Sequence, residues 1–129
     1  DKIYINQESV VFLGLNIKLR RLLIMLPVDK DTFEVEVQKS EGPVLVDFWS
    51  EGCEPCKALM PDIEELEKAY GESIKFTKLD TTKARRLAIK ERVLGLPTIA
   101  IYKDGQKIDE LTKEDATKAN VEAMIKKYI

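Results

Sequence analysis

The chain contains no histidine, which removes Cys-His nucleophile pairs of the protease or transferase kind. It holds two cysteines in 129 residues, too few for a secreted scaffold stapled by several disulfides. They are also too few thiolates for a four-ligand zinc site unless two chains share one metal. No uninterrupted apolar run approaches the roughly 20 residues that would span a bilayer. An excess of one charge is missing as well: 21 Lys and Arg stand against 23 Asp and Glu. The basic residues are scattered among the acids and the pI is near 5.4, which argues against a groove for nucleic acid. There is no internal repeat, low-complexity segment or interdomain linker.

What remains describes an ordinary globular chain, 44% apolar and 34% charged, long enough for one domain with a proper core. Residues 1–24 read as an extension to a domain over 25–129. Ile3-Tyr4-Ile5 and Val10-Val11-Phe12-Leu13 are apolar and β-like, and Lys18 to Ile24 is a basic-apolar run. Its charges follow the apolar part instead of preceding it, opposite to a signal peptide. Two readings stand for this stretch. It is translated leader, because Arg20-Arg21 can be encoded as a ribosome-binding sequence upstream of Met25, or it is a real extension with a helix from Leu15 to Ile24. Amino-terminal sequencing of the native protein decides, since an end upstream of Met25 contradicts the leader.

From Met25 onward, helix and strand signals alternate. Pro27-Val28 begins an edge strand. Asp29 or Asp31 caps a helix carrying Phe33, Val35 and Val37, which ends at Ser40-Glu41-Gly42-Pro43. Val44 to Trp49 is a strand apolar on both faces, as at the centre of a covered sheet. A helix from about Cys53 to Tyr70 carries Leu59, Ile63, Leu66 and Tyr70 as one stripe, is expected to kink at Pro61, and ends at Gly71. Ile74 to Asp80 is a strand, Lys83 to Arg92 a short helix with Leu87, Ala88 and Ile89 apolar, and Thr98 to Tyr102 a strand. Asp104-Gly105 turns a hairpin back into Gln106 to Leu111. A last helix from about Thr117 carries Val121, Met124, Ile125 and Tyr128. The order is βα-βαβα-ββα: strands separated by helices are expected to run parallel and the closing hairpin antiparallel. The fold class is therefore α/β, with a central mixed sheet flanked by helices on both faces.

The chemistry concentrates in Asp47-Phe48-Trp49-Ser50-Glu51-Gly52-Cys53-Glu54-Pro55-Cys56-Lys57. Two thiols separated by two residues at the first turn of a helix are the parts of a dithiol/disulfide redox centre. This stretch, with Pro61 in the helix, Lys78 on the next strand and Gly95-Leu96-Pro97-Thr98 further on, resembles the thioredoxin family over roughly residues 27–129. The resemblance implies the thioredoxin fold and a protein-disulfide reductase with no cofactor, recharged by a thioredoxin reductase.

Within that resemblance each residue has a part. Cys53, at the positive end of the helix dipole, is the nucleophile, and Cys56, one turn further in, resolves the mixed disulfide. Pro55 stiffens the loop between them and equally suits a helix start. The resemblance implies that Asp47 lies buried beneath Cys56, with Lys78 nearby, and takes up the resolving proton. On the bare sequence a satisfied structural aspartate fits as well. It also implies a cis peptide at Pro97, where Leu96 and Pro97 meet an extended substrate, whereas a strand-entry proline is the plain alternative. Trp49 covers the rim of the site.

The departures lie beside the cysteines. The family pattern has Trp before the first cysteine and Gly after it, where this chain has Gly52 and Glu54. Gly52 removes an aromatic contact surface. Glu54 puts a negative charge within about 7 Å of the Cys53 sulfur, an expected penalty on the thiolate of about 1 kcal/mol, which favours a reductant over an oxidant. The family's usual glycine near the last hairpin is replaced within Glu110-Leu111-Thr112-Lys113, on a face that helps form the docking groove. This Gly-Cys-Glu-Pro-Cys variant is similar to thioredoxins of anaerobic, amino-acid-fermenting clostridia. Expected partners are thus thioredoxin reductase and protein disulfides, with a glycine- or betaine-type reductase system or a peroxiredoxin-type enzyme as the specific target. No nucleic acid, membrane or metal is expected, and the protein is expected to be a cytoplasmic monomer. The alternatives are a thioredoxin-fold adaptor with idle cysteines and a disulfide oxidase or isomerase.

Overall fold

The computed structural model describes residues 25–129 throughout and, before them, the backbone of three short strands. These are β1 (Tyr4–Ile5), β2 (Val10–Phe12) and β3 (Leu15–Ile17), paired antiparallel in that order. Leu15–Ile17 is thus strand and not the start of a helix, and the remainder of that expectation, residues 18–24, lies outside the described residues.

The main sheet has five strands in the order β4 (Leu26–Val28), β6 (Lys75–Asp80), β5 (Val44–Trp49), β7 (Thr98–Lys103), β8 (Gln106–Thr112). β5 lies at its centre because Val44, Leu45, Val46 and Phe48 can all be buried, and only a strand covered on both faces buries them all. Pairing is parallel for β4/β6 and β5/β6, and antiparallel for β5/β7 and β7/β8.

The direction of β7 corrects the expectation that strands separated by helices run parallel. Helix α2 spans only Arg85–Lys90, about 9 Å at 1.5 Å per residue, while β6 is six residues long, about 20 Å. So short a helix does not carry the chain back along the sheet. Thr98 therefore starts β7 at the end where β6 finished, beside Phe48, itself paired with Leu79.

Two cores follow from the alternation of side chains across the sheet. On one face Leu45, Phe76, Ile99 and Ile101 pack under α1 (Glu54–Tyr70) and α3 (Lys118–Lys126), through Leu59, Ile63, Leu66, Val121, Met124 and Ile125. The stripe expected for α1 is the face it buries, and the helix runs as one element through Pro61. On the other face Val44, Val46, Phe48, Leu79 and Tyr102 meet Phe33, Val37 and Ala84. The Phe33 ring lies edge-on to Tyr102 with centroids 5.5 Å apart.

Val37 comes from a single wide helical stretch, Glu34–Gln38, and Phe33 is its N-cap; the stretch is closed by the Lys39 N–H donating to the Glu34 carbonyl five residues back. Asp29 holds the turn before it, its Oδ1 accepting from the backbone N–H of Asp31 (2.8 Å) and Thr32 (2.9 Å), while the element's own N-cap, Phe33, makes no side-chain cap bond. Val35, expected on the buried face, is exposed, because two residues from Phe33 a helix has turned away. Ile89 is likewise exposed, and α2 buries Ala88 instead. The predicted hairpin forms with Asp104 at φ 54° and Gly105 at φ 84°, the two positive values a two-residue turn of this hand requires.

Candidate functional site

The site hangs from the C-terminal end of β5. After Trp49 the chain turns at Ser50, whose carbonyl accepts from the Cys53 N–H at 3.1 Å. Cys53 is the N-cap of α1, extended at φ −99° and ψ 101°, and its Sγ accepts from the Cys56 N–H at 3.2 Å. A cap needs an acceptor for an orphan helix donor, so here the sulfur does what a serine oxygen does elsewhere. That N–H, and the positive helix end behind it, stabilise negative charge on Cys53. Pro55 occupies the first turn, where its missing N–H has no partner to lose.

Cys53 and Cys56 form a disulfide with their Cα atoms 5.3 Å apart, and their environments differ. Cys53 is half-exposed, whereas Cys56 is 1% exposed. An outside reactant can reach only the first sulfur.

Asp47 sits two residues before Trp49 on β5, on the same face as Leu45 and so on the α1 side of the sheet. It is 1% exposed, and neither carboxylate oxygen has a hydrogen-bond partner among the described residues. Burial pushes its pKa up from 3.8 to about 7, and the Lys78 ammonium beside it holds the rise back. The parallel register pairs Asp47 with Lys78, and the antiparallel one pairs it with Ile99. A buried carboxyl with no hydrogen-bond partner is a costly residue in a core. This weighs against the satisfied structural aspartate.

The other residues named from sequence converge on the same end of the sheet. Trp49 is half-buried, and its carbonyl accepts from the Thr81 hydroxyl at 3.1 Å. Gly52, Glu54 and Pro55 are exposed around the cysteines. Because Phe48 pairs with Thr98, Pro97 stands next to Trp49, one step beyond the last register pair. The Leu96–Pro97 peptide is cis, with Leu96 half-buried and Pro97 buried. The loop is held by the Thr98 hydroxyl donating to the Gly95 carbonyl (2.6 Å) and the Lys113 N–H donating to the Pro97 carbonyl (2.8 Å). Beside it Leu94 and Ile89 are exposed and line a shallow groove with Val93 and Leu96.

Two features went unread in the sequence. Glu54, treated above as a bare charge, pairs with Lys57 one turn on, at 3.2 Å. The pair is exposed, so each charge is weak, and together they leave less net field on Cys53 than Glu54 alone. Lys113 lies against Gly95; its only sequence signal is its place in the segment where the usual glycine is missing. Among the described residues no cluster of three or more His, Cys, Asp or Glu could hold a metal. No helix of those residues is long and apolar enough to cross a membrane.

Comparison with known proteins agrees with this geometry. The sequence model of the Thioredoxin family matches residues 24–127. The chain is 83% identical over 105 residues to thioredoxin of Acetoanaerobium sticklandii, covering 81% of this chain and 100% of that one. It is 55% identical over 106 residues to thioredoxin of Peptoclostridium acidaminophilum, covering 82% and 96%. Both organisms are clostridia. Among solved structures, Malassezia sympodialis thioredoxin superposes with a TM-score of 0.73 at 27% identity, over 81% of this chain and 90% of that one.

Proposed function

The chain belongs to the thioredoxin family and is a protein-disulfide oxidoreductase, and from that premise we propose how its residues divide the reaction. The Cys53 thiolate attacks one sulfur of a target disulfide, and the other target sulfur leaves as a thiolate. Asp47 accepts the proton of Cys56, whose thiolate then attacks the Cys53 sulfur and releases the second target thiol. The target gains two electrons, and the two cysteines end as the Cys53–Cys56 disulfide. Lys78 tunes Asp47, a carboxyl near pH 7 being well matched to exchanging a proton at neutral pH. Trp49, Gly52, Glu54, Pro55, Leu96 and Pro97 form the surface on which the target lies.

The observation carrying this reading is a half-exposed sulfur at a helix cap bonded to a buried one, on a helix packed over the face of the sheet that holds a buried carboxyl without a hydrogen-bond partner among the described residues. Thioredoxin reductase and protein disulfides are the family's general partners. The finer assignment is a glycine- or betaine-type reductase system or a peroxiredoxin-type enzyme, served by a monomer in the cytoplasm. It is supported by the Gly52-Cys53-Glu54-Pro55-Cys56 variant and by a thiol pair suited to a reducing compartment.

Reduction of insulin with dithiothreitol tests the assignment of roles. Turnover by the wild type should vanish in Cys53→Ser, whereas Cys56→Ser should accumulate a mixed disulfide whose trapped partner identifies the target. Undiminished turnover in Cys53→Ser would remove the nucleophile from its role.

A further inference from the structure

Lys113 stands where the backbone least favours a side chain. It follows β8 with φ 56°, the left-handed region in which glycine is at ease and a Cβ is crowded. Its own hydrogen bonds hold it there: its N–H donates to the Pro97 carbonyl at 2.8 Å, and its carbonyl accepts from Ala116 at 3.0 Å. The side chain lies across the Pro97 loop. A Cβ built at Gly95 would overlap the Lys113 Cε and lie 3.2 Å from both Cγ and Cδ. Gly95 has no positive φ of its own, so the space it leaves is what the lysine stem uses.

The register carries this to the cysteines. Phe48, Thr98 and Thr112 form one row across β5, β7 and β8. One residue beyond that row stand Trp49, Pro97 and Lys113, the end of the sheet from which Cys53 hangs. The residue is exposed, and its ammonium joins no ion pair among the described residues, although Glu114 and Asp115 follow in the same turn. On the α1 side of the site Glu51 and Glu54 are exposed, the latter occupied by Lys57. The rim therefore has an acidic side and, along the Pro97 loop, a cation with no ion-pair partner among the described residues. A stem already laid on the backbone loses less freedom on pairing than a free surface lysine.

We propose that Lys113 is a specificity-determining residue: it pairs with an acidic side chain on the target segment that lies along Gly95–Pro97, so that disulfides flanked by an acid are reduced preferentially. This rests on the reading above, that Cys53 reduces disulfides of targets lying along Pro97.

Two disulfide peptides identical except for Glu or Gln beside the attacked cysteine test it, with kcat and KM measured for each. The Glu/Gln ratio of kcat/KM is taken within each variant, which cancels any change in overall activity. The wild type should favour the Glu peptide about two- to fivefold at low salt, the range of an exposed ion pair, with the difference in KM. The ratio should fall to one in Lys113→Gly, which adopts this φ without strain, invert in Lys113→Glu and persist in Lys113→Arg. At about 1 M salt, where charges are screened beyond about 3 Å, it should also fall to one. A wild-type ratio of one, or a ratio unchanged in Lys113→Gly and Lys113→Glu, overturns the proposal. Failure of the wild type to reduce even the Gln peptide would instead overturn the reading beneath it.

Discussion

Replacing Asp47 by asparagine should stabilise the disulfide form at about pH 8, leave it nearly unchanged at about pH 4, and lower its activity. The carboxyl ionises near 3.8 in an unfolded chain and near 7 in the folded one, because burial disfavours the charge more than Lys78 favours it. Below the unfolded value both states hold the proton, so the burial of Asp47 carries no ionisation penalty. Between the two values only the folded state holds it, and stability falls by about 1.4 kcal/mol for each pH unit. Above the folded value the loss is complete. A rise from 3.8 to about 7 corresponds to about 4 kcal/mol, a large part of the stability of a domain this size. Asparagine has the same shape and no charge to bury, so the variant escapes this loss.

Urea unfolding of wild type and Asp47→Asn at about pH 4, 6 and 8 measures it. The wild-type curve should fall relative to the variant as pH rises from about 4 to 7 and then run parallel to it. Lys78→Met should prolong the fall to higher pH, since it removes the one charge that lowers the Asp47 pKa. A difference between wild type and Asp47→Asn that stays constant from pH 4 to 8 would refute the reasoning. The activity arm separates a chemical role from a merely awkward core residue. Under the role proposed for Asp47, losing it slows release of the target from the mixed disulfide, so the variant that is more stable at neutral pH should reduce insulin more slowly.

Two further perturbations probe the neighbours of the cysteines and the packing beneath them. Glu54→Gln should raise the reduction potential and Lys57→Gln should lower it, each by no more than about 20 mV, because the pair is exposed; equilibration with glutathione measures both, and shifts of the same sign would contradict the pairing. Phe33→Ala should cost about 3–5 kcal/mol in urea unfolding, since the ring is fully buried against Phe48 and Tyr102, whereas Val35→Ala on the exposed side of the same stretch should cost well under 1 kcal/mol.

What could be read from the chain was whatever a short window fixes. Val44 to Phe48 announced a strand covered on both faces because only a central strand buries such a run. Leu59, Ile63 and Leu66 announced the buried face of α1, and Asp104-Gly105 the positive φ values of a hairpin. The cysteine pair could be placed at a helix start for the same reason. The Glu54–Lys57 pair also lay within one helical turn, and a reading by charge alone passed over it. Direction and neighbourhood across the sheet are a different kind of information. β7 runs opposite to β6 because six helical residues cannot retrace six extended ones, a comparison of lengths that no residue states by itself. Val35 and Ile89 are apolar yet face outward, since composition does not say which turn of a short helix meets the sheet.

Lys113 shows the limit most clearly, because nothing in Thr112-Lys113-Glu114 marks a left-handed backbone. The row through Phe48, Thr98 and Thr112 places it beside Pro97, and its use of the space over Gly95 exists only after that pairing. The residues that perform the exchange are local and were named from sequence. The one that reads the target's charge depends on the register of three strands, so altering it should change which disulfides are chosen while leaving the chemistry of exchange with Cys53 and Cys56.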